Sequence, residues 1–194
     1  GYGLTETSSL THFLFPEDNG KVKIGSIGKS CEDVESVIVS KNLEPVTNGI
    51  IGELLVKGPM VIKTYDDKKF NEGAFYRDWF RTGDLFYRDN DGYYYLVGRK
   101  KDVEDVSSKL LHETADAIPQ LFSIKEIADL TYRLVGNKDL QIYIVPSDSS
   151  VAIREVIKEN IVKMLPPSLK EISSIKLVSF LPRTATGKVM KRKL

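Results

Sequence analysis

Gly1-Tyr2-Gly3-Leu4-Thr5-Glu6-Thr7 sets two glycines beside a hydroxyl and a carboxylate. Glycines let main chain approach a ligand closely. A threonine hydroxyl with neighbouring N–H groups can hold a phosphate, and a glutamate can hold a hard cation through oxygen. The same run also reads as a plain turn. Trp79-Phe80-Arg81-Thr82-Gly83-Asp84 places a carboxylate just after a glycine. Asp84 has the chemistry to accept two hydroxyl hydrogen bonds from a ribose, or only to cap a turn. Gly98-Arg99-Lys100-Lys101-Asp102 is a basic run, read either as solvated surface or as a polar hinge that absorbs backbone change. Pro182-Arg183-Thr184-Ala185-Thr186-Gly187-Lys188 is a small-residue loop presenting one lysine. Such a cation can neutralise charge building on a reacting phosphate and carboxylate; otherwise it belongs to a basic tail with Lys191, Arg192 and Lys193.

The elements that must position these clusters fall into two regimes. Up to Gly98 the pattern is strand-rich. Residues 34–40 and 51–57 read as strands, with turn residues between them. Residues 83–88 and 93–98 flank Asp91-Gly92, a hairpin signal. Strict alternation sets Tyr93, Tyr95 and Val97 on one face, with Tyr94 and Leu96 on the other. After Gly98 a charged connector leads into mixed helix and strand. Residues 112–118 are a short helix candidate stopped near Pro119, and residues 140–145 a strand. Residues 151–165 carry helical spacing, with Ser150 as N-cap and Pro166-Pro167 as the stop. Residues 174–180 are a further strand. The reading is an α+β chain, with a β-rich part over 1–98 and a hinge plus smaller α+β domain over 99–194.

Composition narrows the function classes. Lys plus Arg is 28 against 27 Asp plus Glu, so no global field draws the chain to nucleic acid or anionic membrane. One cysteine, Cys31, rules out an internal disulfide framework and fits a reducing compartment. No apolar run approaches the ~20 residues of a membrane helix, and no zinc-type ligand cluster is visible. His12 and His112 are lone histidines, read as surface or structural rather than catalytic. The chain has no initiator Met and opens inside a glycine-containing motif, as a fragment does.

Taken in order, these clusters resemble the signatures of the adenylate-forming (AMP-binding) superfamily: acyl-CoA synthetases, 4-coumarate–CoA ligases and beetle luciferases. Tyr2 to Glu6 resembles its Y-G-L-T-E motif, and Gly52 to Pro59 its G-E-L-x-V-x-G-P segment. Trp79 to Asp84 resembles W-x-x-T-G-D, Gly98 to Asp102 the G-R-x-K-D hinge, and Pro182 to Lys188 the P-[KR]-T-x-[ST]-G-K loop. The resemblance implies the β-rich end of a large N-terminal domain followed by a small mobile C-terminal lid. It implies two half-reactions: a carboxylate attacks the α-phosphate of ATP, giving an acyl-adenylate and pyrophosphate, and a thiol, usually that of coenzyme A, then takes the acyl group. Gly1, Tyr2 and Gly3 would line the adenine and acyl pockets, and Leu4 would be a further cofactor-binding residue. Thr5 would bind the α-phosphate and Glu6 the Mg²⁺. Asp84 and Arg99 would hold the ribose, Lys101 would be the pivot, and Lys188 would bridge carboxylate and phosphate oxygens during adenylation.

Two departures qualify that expectation. The family's phosphate-binding loop lies upstream of Y-G-L-T-E, and this chain has no such segment, so the 194-residue piece alone is expected to be inactive. After the hinge the family continues with a basic, glycine-containing stretch of the I-K-Y-K-G type. Here the run is Glu104-Asp105-Val106-Ser107-Ser108, with Asp105 in place of a lysine and Ser108 in place of the glycine. That substitution bears on the thiol step more than on adenylation. A non-catalytic member, and adenylation with an acceptor other than coenzyme A, both stay open. The implied location is intracellular, cytoplasmic or peroxisomal; the chain ends Lys-Arg-Lys-Leu rather than with the Ser-Lys-Leu address.

Overall fold

A computed structural model describes residues 1–15, 23–103, 105–148 and 150–194. Glu104, half of the acidic pair after the basic run, lies outside the described residues. The chain divides into two compact units, Gly1–Asp102 and Val103–Leu194. Its fold is α+β, a β-rich unit followed by a smaller unit of helices and a short sheet. No helix among the described residues is long and apolar enough to cross a membrane.

The first unit holds strands β1 (Tyr2–Gly3), β2 (Leu10–Phe13), β3 (Ser26–Ser30), β4 (Glu35–Val39), β5 (Gly52–Lys57), β6 (Phe75–Tyr76), β7 (Trp79–Arg88) and β8 (Tyr94–Arg99). They run in the order β1-β2-β3-β8-β7-β5-β4, with β6 added on β7. β5 lies between β4 and β7, and its run from Gly52 to Val56 is buried throughout. A strand covered on both faces reads as a continuous apolar run rather than an alternating one, which is why Leu54, Leu55 and Val56 stand side by side. Leu54 and Val56 pack with Ile38, Val61, Phe80, Phe86 and Tyr94 into the core of this unit.

The hairpin at Asp91-Gly92 forms as its sequence implied. Asp89 Oδ1 accepts from the N–H groups of Asp91 and Tyr93, at 3.0 and 2.8 Å. The expected alternation beyond it does not hold. Tyr94 and Val97 are both buried while Leu96 is 40% exposed, because β8 carries a bulge. Leu96 faces Phe86 and Gly98 faces Leu85, so Val97 is an extra residue and shifts the alternation by one.

In the second unit, β9 (Ile127–Val135), β10 (Asp139–Pro146) and β11 (Ser173–Leu177) form a sheet with β10 in the centre, antiparallel to β9 and parallel to β11. Leu140, Ile142 and Ile144 of β10 are fully buried. Helices α1 (Ser108–Gln120), α2 (Val151–Met164) and α3 (Pro167–Ile172) accompany it. Ser150 caps α2 by accepting from the Ile153 N–H at 3.4 Å, and the Pro166-Pro167 stop opens α3 with Pro167 in its first turn. α1 departs from expectation. It starts at Ser108, because Ser107 accepts from the Leu110 N–H, and it runs past Pro119 to Gln120. Pro119 has no N–H to donate back to the Ala115 carbonyl, so the last turn gives up one intrahelical bond.

Candidate active site

Gly3 begins the site. A Cβ there would lie 2.4 Å from the Ser9 carbonyl oxygen, so only glycine lets β1 pass this close to the returning chain. Next comes the turn Thr5–Thr7, held by Thr7. The buried Thr7 hydroxyl accepts from the Leu4 N–H at 2.9 Å, and the Thr7 N–H donates to the Leu4 carbonyl at 3.1 Å. This leaves Thr5 exposed and turns Glu6 into a cleft. The Glu6 carbonyl accepts from the Ile62 N–H at 2.9 Å, and Glu6 Oε1 accepts from the Tyr65 hydroxyl at 2.9 Å.

Asp84 is set by a second irregularity in β7. Glu53 of β5 faces Leu85 and Leu55 faces Arg81, so Thr82, Gly83 and Asp84 together stand opposite Leu54 alone. The surplus arches out of the ladder. Gly83 takes φ 69°, in the left-handed region that glycine enters freely. The Leu54 carbonyl accepts instead from the Thr82 hydroxyl at 2.8 Å, and Thr82 Oγ1 in turn accepts from the Asp84 N–H at 3.1 Å.

The Asp84 side chain is nearly buried, at 6% exposure, and is gripped on both oxygens. Oδ2 accepts from the Tyr2 hydroxyl at 2.6 Å and Oδ1 from Arg99 Nε at 2.9 Å. Arg99 also donates from Nη1 to the Thr82 carbonyl at 3.2 Å. Burial, reinforced by the Asp84 charge, pushes the Tyr2 phenol far above its ordinary value, so it stays a donor. Tyr2 packs edge-on against Phe86 and His12.

Leu4, Glu6, Tyr65, Ala74, Thr82, Gly83 and Arg99 line one cleft of about 250 Å³, together with Glu53 and Arg81. Glu53 is buried, accepting from Arg81 Nε and Nη2 at 3.2 and 2.7 Å and from Lys100 Nζ at 3.0 Å. Burial pushes its carboxyl up, but the two cations outweigh it and hold the group below the usual range.

Of the residues singled out in sequence, the structure gathers Tyr2, Leu4, Glu6, Asp84 and Arg99 in the first unit, with Gly1 just before β1, Gly3 on it and Thr5 in the following turn. Lys101 is exposed in the turn Lys100–Asp102 that closes this unit. Lys188 belongs to the second unit, at the end of a tight loop. There the Thr184 N–H donates to the Lys188 carbonyl at 2.8 Å, and Arg183 bonds both the Gly187 carbonyl and Asp129. Thr7, Tyr65 and the Glu53–Arg81–Lys100 cluster had no role in the sequence reading. Glu53 and Arg81 stood inside recognised motifs, but Tyr65 carried no local signal.

Known proteins resemble this chain along its whole length. Residues 1–66 match the AMP-binding enzyme family. A 2-succinylbenzoate–CoA ligase of Oceanobacillus iheyensis is 34% identical over 199 residues, across 100% of this chain and 40% of its own. A long-chain-fatty-acid–CoA ligase of Bacillus subtilis is 32% identical across 100% of this chain and 35% of its own. The solved O-succinylbenzoate coenzyme A synthetase of Bacillus subtilis, in complex with AMP, superposes with a TM-score of 0.77 at 28% identity, covering 100% of this chain and 40% of that one. The chain thus spans about 40% of the length of the curated relatives it matches.

Proposed function

Since the chain belongs to the AMP-binding enzyme family, we propose that the longer protein of which it forms a part activates a carboxylic acid with ATP and passes the acyl group to a thiol. The observation that carries this reading is the joining of Tyr2, Asp84 and Arg99 through one carboxylate, in the same unit as a cleft lined by Glu6.

The proposed roles follow from the geometry. Asp84 is held by one donor on each oxygen, a rigid acceptor suited to sugar hydroxyls. Thr5 is exposed beside Glu6 and suits the α-phosphate. Glu6 fits Mg²⁺, which is bound by one or two carboxylates plus substrate phosphates rather than by a protein cage. Among the described residues no group of three or more His, Cys, Asp or Glu side chains forms such a cage. When bound, the ion would neutralise charge on the phosphates. In adenylation a carboxylate oxygen bonds to the α-phosphorus while the bond from that phosphorus to pyrophosphate breaks. Lys188 is the cation assigned to the negative charge that gathers there.

The substrate class is an aryl or fatty acid, as the names of the two ligases suggest. A cytoplasmic or peroxisomal setting fits the single cysteine. A second reading concerns the acceptor. Asn137 accepts from the Ser107 N–H at 2.7 Å and donates to the Asp105 carbonyl at 3.0 Å, fixing this stretch as the lead-in to α1. An acidic, serine-capped helix start favours an acceptor less anionic than coenzyme A.

The test is ATP–pyrophosphate exchange by the full-length parent, with Mg²⁺ and a panel of fatty and aryl acids. Acid-dependent exchange is expected, and Lys188→Ala should lower it ~10²-fold or more. A folded parent that binds ATP but exchanges with no acid overturns the reading in favour of a non-catalytic member. AMP release that does not depend on coenzyme A selects the second reading.

A further inference from the structure

We infer that Tyr65 is a positioning residue for the metal-holding carboxylate: its hydroxyl takes one oxygen of Glu6 and leaves the other to the cation. The inference rests on the proposed role of Glu6 and adds to it a residue from a separate part of the chain.

A glutamate on a short turn has three rotatable side-chain bonds, and ordering them costs free energy. Here one segment restrains Glu6 at both ends. Ile62 donates its N–H to the Glu6 carbonyl at 2.9 Å. Three residues on, the Tyr65 hydroxyl donates to Oε1 at 2.9 Å. Oε2 has no hydrogen-bond or ion-pair partner among the described residues. A phenol is well suited to the task, since it carries one donor on a rigid ring that packing can aim.

The packing does aim it. The Tyr65 ring meets Phe70 and Phe75 edge-on, with centroids 6.1 and 6.2 Å apart, and Phe75 in turn meets the buried Phe80 at 5.6 Å. The main chain beneath is fixed by Asn71, whose Oδ1 accepts from the Tyr65 N–H at 2.8 Å. The direction of the hydroxyl is therefore set by the core of the first unit, and the carboxylate inherits it. Outer groups that orient a metal ligand commonly change metal affinity 10- to 100-fold when removed.

The experiment uses the full-length parent and Tyr65→Phe, which deletes one oxygen and keeps the ring. Mn²⁺ binding to the protein loaded with a non-hydrolysable ATP analogue is followed by electron paramagnetic resonance. Separately, ATP–pyrophosphate exchange is titrated with Mg²⁺. Both midpoints should rise about 10-fold in Tyr65→Phe, with most of the exchange rate recovered at saturating Mg²⁺. Unchanged midpoints overturn the inference while leaving the proposed function intact, and so does a lower maximal rate at an unchanged midpoint. A wild-type parent that neither exchanges nor binds Mn²⁺ overturns the proposed function itself. If Tyr65→Phe does not fold, Asn71→Ala carries the same test, with the same outcomes read the same way.

Discussion

His12 yields a sharp test of how the first unit is held together. It is fully buried on β2, opposite Tyr2 in the sheet register. Its ring meets Tyr94 edge-on at 4.5 Å, and its nitrogens face the hydroxyls of Thr11 at 3.0 Å and Ser30 at 3.4 Å. Thr11 donates its own proton to the Tyr2 carbonyl, so Nδ1 carries the ring proton and Nε2 accepts from Ser30. Both contacts are neutral, and burial lowers the imidazole from 6.5 to about 4. Because the folded value is depressed, the unfolded chain binds the extra proton. The stabilisation is complete above about pH 6.5 and is lost as pH falls toward 4. Between pH 7 and pH 5 this one group should withdraw about 2 kcal/mol. Trp79 is the only tryptophan in the chain and sits in the same unit, so its fluorescence in urea reports the right transition. His12→Gln keeps a neutral hydrogen-bonding group but cannot titrate. Its stability should fall by about 2 kcal/mol less than wild type over that interval. Equal slopes for the two proteins would refute the neutral buried imidazole.

Other predictions bear on the same unit. Glu53→Gln leaves Arg81 and Lys100 without their carboxylate, and denaturant unfolding should show a loss of roughly 2–3 kcal/mol, moderated by the partial solvent access of both cations. Its carboxyl is held low, so its contribution stands above the ordinary carboxylate value and fades as pH drops through the depressed one. Gly83→Ala should cost about 1–2 kcal/mol through backbone strain alone, since the nearest atom to a new Cβ is Arg99 Nη1 at 3.8 Å. Nucleotide affinity of the parent, measured by calorimetry, should fall with it as Asp84 shifts.

Much of this site could be read from the sequence because its residues lie in short contiguous clusters. Tyr2 to Glu6 and Thr82 to Asp84 each fold as one local turn or arch, so adjacency in the chain became adjacency in space. Tyr65 could not be read that way. Its partner Glu6 lies 59 positions earlier, and nothing near Tyr65 marks it as more than one aromatic among many. The fold shows the same division. β4, β5 and β10 were visible as apolar runs, whereas β9 is no such run: Leu130, Tyr132 and Leu134 alternate with Asp129, Thr131 and Arg133. Bulges also escape periodicity by their nature. They are departures from period two, so the alternation through Tyr93 to Val97 was misassigned where the chain carries an extra residue.

That extra residue gives β8 the character of a ruler. From the hairpin tip, the count to Leu96 is in step with β7, and Val97 then advances the chain by one position. The advance is what brings Arg99, rather than Gly98, across from Asp84. Were the bulge to flatten into a regular ladder with no residue removed, the basic run would lag by one position, about 3.4 Å, and Gly98 would stand against the carboxylate. The bulge, and not the residue types alone, therefore decides which side chain meets Asp84. Deleting Val97 takes out the surplus residue itself, and a regular ladder then sets Leu96 against Phe86, Gly98 against Leu85 and Arg99 still against Asp84.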